Sequence, residues 1–170
     1  METPVGRSAR SAPERVLIVC EHGRAGAAAI ELARDLAERT QASLTIVGIA
    51  PHAPSGGRAR CANSPVEYNK AVAASVAHDL DEAKNRLGDA AINAAFVLLV
   101  DGADQTLEQL TRSGGFDLVL LPGHRRPFRK PGHPAAAGLS GVAGAEIRIV
   151  EPASQPQPKR QPRRPAGAAG

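Results

Sequence analysis

The sequence predicts an α/β fold: a doubly wound, five-stranded parallel sheet with helices on both faces. Three observations predict it. Five short apolar runs alternate with stretches of helical period, an order that calls for parallel strands joined by crossover helices. The chain has 170 residues, enough for one domain with a real core and too few for two ordinary ones. Hydrophobic residues make up 42% and charged residues 22%, a globular composition. Aromatics are only 2% (Tyr68, Phe96, Phe116, Phe128), so the core has to be Val, Leu, Ile and Ala, and there is little on which single-stranded nucleic acid can stack.

Residues 1–14 are rich in Ser, Arg, Pro and Gly without a period and read as a flexible lead-in. Residues 15–20 form a continuous apolar run, suited to a strand buried on both faces. Residues 21–26 break it. From Ala25 to Arg39 the positions Ala29, Ile30, Ala33, Leu36 and Ala37 recur at helical spacing. Residues 43–50 are a second strand run, and 51–65 a long Pro/Gly/Ser loop. Ser64 as cap and Pro65 in the first turn open a helix. Its stripe Val66, Val72, Ala73, Val76, Leu80, Ala83 and Leu87 runs to a stop at Gly88. Residues 95–100 are a third strand, 103–112 a helix ended by Gly114 and Gly115, and 116–121 a fourth strand. Residues 122–134 form a rigid basic loop and 135–144 a glycine-interrupted helix. Residues 146–150 alternate as a fifth, less buried strand. Residues 151–170 are a Pro-rich basic tail expected to be disordered, which leaves one α/β domain over 15–150.

No apolar run approaches the ~18–20 residues of a membrane helix, and the N-terminus has no apolar leader segment. Two cysteines make no disulfide framework. The expectation is a cytoplasmic protein with no membrane partner. Net charge is +4, concentrated in the loop cations Arg125, Arg126, Arg129 and Lys130 and the tail cations Lys159, Arg160, Arg163 and Arg164. In open α/β sheets ligands sit past the carboxyl ends of the strands, where the strand order reverses. The loops after the first and fourth strands, 21–26 and 123–132, are therefore the candidate site.

Residues 16–21 (VLIVCE), the Ala/Leu-rich helix after them and residues 42–47 (ASLTIV) resemble the opening of the universal stress protein family. Residues 100–110 (VDGADQTLEQL) and 116–123 (FDLVLLPG) are the more specific part of the likeness, which covers roughly 15–150. The resemblance implies a Rossmann-like sheet of strand order 3-2-1-4-5. It also implies a homodimer formed by fifth strands, with Ile147 and Ile149 at the dimer edge. ATP-binding members carry Gly, two residues, Gly, nine residues, then Gly-Ser or Gly-Thr. Here Gly123 matches the first glycine, Arg126 stands at the second, and Ala136-Ala137 at the final pair. Glu21 stands where such proteins keep an acidic residue at the end of the first strand.

The candidate nucleotide or anion residues are Glu21, Gly23, Gly26, Gly123, Arg125, Arg126, Arg129 and Lys130. Glycine amides at a helix start hold phosphate by close approach, and Arg or Lys hold it by charge. Pro127, Pro131 and Pro134 remove donors from the same loop. A solvated basic loop is the favoured reading of its cations, and a plain strand-to-helix turn that of Gly23 and Gly26. Cys20, His22, His124 and His133 fall on the two loops without metal-ligand spacing, so no metal site is expected. Cys20 reads as a buried strand residue, Cys61 as an exposed thiol, and the acidic pair Asp81-Glu82 as a solvated helix face. No nucleophile elbow, P-loop or paired His/Glu motif is present, so no catalytic residue is expected. The reading is a non-catalytic dimeric stress-adaptation module that works through an unidentified protein partner or by sensing a ligand, with no cofactor. ATP or another nucleotide is the alternative, and nucleic acid on the basic loop and tail a second, less favoured one.

Overall fold

Residues 12–51, 65–100, 105–123, 135–140, 142 and 144–152 are described by the computed structural model. Its strands are β1 (Arg15–Cys20), β2 (Ser43–Ala50), β3 (Ala94–Val100), β4 (Leu118–Pro122) and β5 (Glu146–Val150). Its helices are α1 (Arg24–Thr40), α2 (Pro65–Leu87), α3 (Leu107–Gly114) and α4 (Ala136–Leu139), with a 3-10 segment at Gly88–Asn93. The sheet order is β3-β2-β1-β4-β5 and every pairing is parallel. This is the α/β class and the order expected. Strands β3 and β5 are its edges.

The alternation of β1 feeds two cores. Val16, Ile18 and Cys20 pack with Ala29, Ile30 and Ala33 of α1 and with Leu80, Ala83 and Leu87 of α2. Leu17 and Val19 pack on the other face with Val119, Leu121 and Leu139, and Leu107 and Leu110 of α3 lie against that cluster. Helices thus cover both faces, as a parallel sheet requires. Helix α2 rides close on β2 because Gly48 has no side chain there: an added Cβ would meet Val76 and Leu80.

The amino ends of three strands are tied by Asp117. Its Oδ2 accepts from the N–H of Glu14 at 3.0 Å and of Arg15 at 2.9 Å. Its own N–H donates to the Arg15 carbonyl at 2.9 Å, and its carbonyl accepts from the Glu146 N–H at 2.8 Å. Strand β4 accordingly begins after this brace, at Leu118, two residues later than the apolar run suggests.

Three other boundaries differ from expectation. Helix α3 starts at Leu107, four residues after Ala103, because Thr106 and Gln109 form a reciprocal capping box. The Thr106 hydroxyl accepts from the Gln109 N–H at 3.2 Å, and the Gln109 side chain accepts from the Thr106 N–H at 2.9 Å. The helix expected over 135–144 is four residues long, as its glycines favour. After Gly88, at φ +57°, the chain adds a 3-10 segment that the apolar periodicity did not signal. The expected lead-in up to residue 11, the loop with the Ser64 cap and Cys61, the start of the 103–112 helix, the basic loop from His124 to Pro134 and the tail from 153 onward lie outside the described residues. No helix among the described residues is long and apolar enough to cross a membrane.

Removing the brace should loosen the sheet at its amino end. Asp117→Ala is expected to cost about 1–3 kcal/mol of unfolding free energy, read by urea denaturation with an unchanged m-value. Asp117→Asn should cost less, because its amide oxygen still accepts.

Candidate functional site

Strand β1 ends at Cys20, and the chain turns through Glu21, His22 and Gly23 into α1. Gly23 sits at φ +96°, a conformation that side chains rarely adopt. It is the helix cap, and its carbonyl accepts from the Ala27 N–H at 3.0 Å. At Gly26 an added Cβ would collide with the Glu21 carbonyl, so helix and turn touch there. Both glycines therefore make a tight strand-to-helix turn. Helix α2 passes the same turn and presents Asp79 and Glu82, three residues apart and so on one face.

Between turn, α1 and α2 lies an open pocket of about 400 Å³. Cys20 and Ile30 line it along with Glu21, His22, Arg24, Asp79, Glu82 and Arg86. The exposed His22 places Nδ1 3.1 Å from Asp79 Oδ1, while the Asp79 side chain is only 15% exposed. The Cys20 thiol donates to the Asp79 carbonyl at 3.5 Å. Burial, then the charges of Asp79, Glu82 and Glu21, push that thiol up to about 11. Glu82 accepts from Arg86 Nη2 at 2.7 Å and Nε at 3.2 Å. Those hydrogen bonds and the guanidinium charge hold its carboxyl below the ordinary glutamate range.

Of the sequence candidates, Glu21, Gly23 and Gly26 come together here, and Gly123 does not line this pocket. At the end of β4, the Gly123 N–H donates to the Val150 carbonyl at 2.8 Å. A Cβ there would lie 3.0 Å from both Ile149 Cγ2 and the Val150 oxygen. Gly123 thus seats β5 against β4. Arg125, Arg126, Arg129 and Lys130, with His124 and His133, lie outside the described residues. Ile147 and Ile149 are half-buried on the edge strand β5. Sequence reasoning missed Asp79, Glu82 and Arg86. It read Asp81-Glu82 as a solvated face, which the 43% exposure of the Glu82 side chain bears out, but did not see that Glu82 borders the pocket. The only signal was the spacing of Asp79, Glu82 and Arg86 along one helix face, which does not name the turn they meet.

The chain is a doubly wound parallel α/β sheet with an open pocket beside the turn after β1. Its fold is that of the universal stress proteins. A structure of that family from Burkholderia pseudomallei matches at TM-score 0.63 and 21% identity, over 84% of this chain and 98% of that one. The universal stress protein UspA from Lactobacillus plantarum matches at TM-score 0.65 and 19% identity, over 80% and 96%. A universal stress protein in complex with cAMP matches at TM-score 0.54 and 18% identity, over 84% and 99%. No family model matches the chain, and no curated protein sequence does.

A thiol held near 11 is almost wholly protonated at neutral pH, with roughly a thousandth as thiolate at pH 8. Site-resolved iodoacetamide labelling should therefore find Cys20 slow at pH 8 and faster as pH approaches 11. Asp79→Asn removes one of the charges that disfavour the thiolate, and labelling at pH 8 should speed up.

Proposed function

We propose that this chain is a non-catalytic universal stress protein: a cytoplasmic dimer that senses a ligand or docks a protein partner without depending on ATP. The observation that carries the reading is the character of the pocket. It opens beside the turn after β1, between α1 and α2 on one face of the sheet, and its lining sets three acidic residues, Glu21, Asp79 and Glu82, against two arginines, of which Arg86 is paired with Glu82. The glycine that matches the phosphate motif commits its N–H to Val150. A protonated, buried Cys20 is a poor nucleophile, which supports the non-catalytic reading.

Calorimetry with ATP and Mg²⁺ at moderate salt tests it, with no low-micromolar site expected. Each charge-assisted hydrogen bond that the motif lacks is worth roughly 1.5–3 kcal/mol, so losing two weakens binding at least a hundredfold. The second reading, a nucleotide-binding member that uses basic side chains, is favoured by one observation: a protein of the same fold is in complex with cAMP. A low-micromolar ATP site abolished by Arg126→Ala would establish that reading and overturn the first.

The dimer rests on β5, an edge of the sheet among the described residues, with Ile147 and Ile149 half-buried. Sedimentation of the full chain should show a dimer. A monomer at tens of micromolar would count against edge pairing.

A further inference from the structure

We propose that His22, Asp79 and Glu82 form a binding site for a divalent transition-metal ion, with Zn²⁺ the first to test. The proposal rests on the reading of this pocket as a ligand site and names the ligand class. One imidazole nitrogen and two carboxylate oxygens, one atom from each residue, all lie within 4.8 Å of one another. They come from two elements 57 residues apart that the fold brings together. An ion with bonds of about 2.0–2.2 Å in tetrahedral array needs ligand atoms roughly 3.3–3.6 Å apart. One pair, His22 Nδ1 and Asp79 Oδ1, lies at 3.1 Å. From the 4.8 Å bound on the others, the contraction needed is at most about 1.5 Å. The most exposed member is His22, at 82%; Glu82, at 43%, is held by Arg86, and Asp79, at 15%, is the most buried of the three.

The donor set decides the class of ion. One imidazole and two carboxylates suit Zn²⁺, Mn²⁺, Co²⁺ or Fe²⁺, and do not make up the six to eight oxygen ligands that Ca²⁺ takes. Two carboxylates balance a divalent charge. Coordination through Nδ1 takes the neutral ring with its proton on Nε2. Arg86 holds Glu82 Oε1 at 2.7 Å, which orients that carboxylate while its second oxygen serves the ion. Water completes the coordination, because the pocket is open.

The test uses the full chain, stripped with chelator, then titrated with ZnCl₂ by calorimetry and with CoCl₂ by visible absorption. The expected result is one ion per chain in this pocket, with a Co²⁺ d–d spectrum. His22→Gln and Asp79→Asn should each weaken binding at least tenfold without changing the circular dichroism of the apo protein. His78→Gln, an exposed histidine on the same helix, should leave binding unchanged. Zn²⁺ binding that is unaffected by His22→Gln and Asp79→Asn would overturn the assignment, as would no stoichiometric binding. A parallel thermal-shift panel of small metabolites on the apo protein separates the two failures. A metabolite that binds and is lost with Asp79→Asn, where no metal binds, removes the metal proposal and keeps the pocket as the ligand site. If neither metal nor metabolite binds, both fall.

Discussion

Val16, Leu17, Ile18 and Val19 are at most 1% exposed, and β1 is hydrogen-bonded to β2 on one side and β4 on the other. The remaining architecture depends on that double burial. Each of these side chains contributes roughly 1.5–3 kcal/mol on leaving water, and alternate ones go to opposite faces. Two cores must therefore exist, each needing its own helices. The chain serves them in turn: α1 and α2 cover one face on the way out to β3, then α3 and α4 cover the other on the way back to β5. The pocket lies on the first of these faces, between α1 and α2 and beside the turn that leaves β1.

Charge decides what such a pocket can hold. Desolvation already disfavours an anion beside Cys20, and three carboxylates nearby make the local field more negative. Two guanidinium groups border the same space, but Arg86 is engaged with Glu82. A phosphate would have to displace that pairing and meet the carboxylates at close range. A cation meets a field already arranged for it. Exposed pairs along the helices, such as Arg112 with Glu108 and Arg39 with Asp35, are screened surface contacts and shape none of this.

Legibility in the sequence followed the range of the interaction. The run at 16–20 and the stripe from Val66 to Leu87 are one-dimensional records of burial, so strands, helices and layer count were readable, although Val66, in the first turn of α2, is 73% exposed and lies off the core. Local chemistry was readable only where its rule was applied: Thr106 with Gln109 carries the capping-box spacing, and the start of α3 follows from it and not from the alanine upstream. Gly88 signalled a stop but not the 3-10 turn beyond it. The site was half legible. Glu21, Gly23 and Gly26 lie in the turn that topology singles out. Asp79 and Glu82 look like any polar helix face until the packing of α2 beside α1 brings them to His22.

Gly26 and Gly123 show why a motif glycine is weak evidence for a phosphate. Gly123 stands where the family resemblance places a motif glycine and Gly26 where a helix start offers amides, and each has a packing reason that needs no ligand. At Gly26 the Glu21 carbonyl occupies the space of a Cβ, and at Gly123 the β5 backbone and Ile149 do. The Gly123 N–H is moreover the donor that extends the β4–β5 pairing past Pro122. What separates a phosphate site from a tight turn is the fate of the amides, and at Gly123 that donor already has a carbonyl 2.8 Å away.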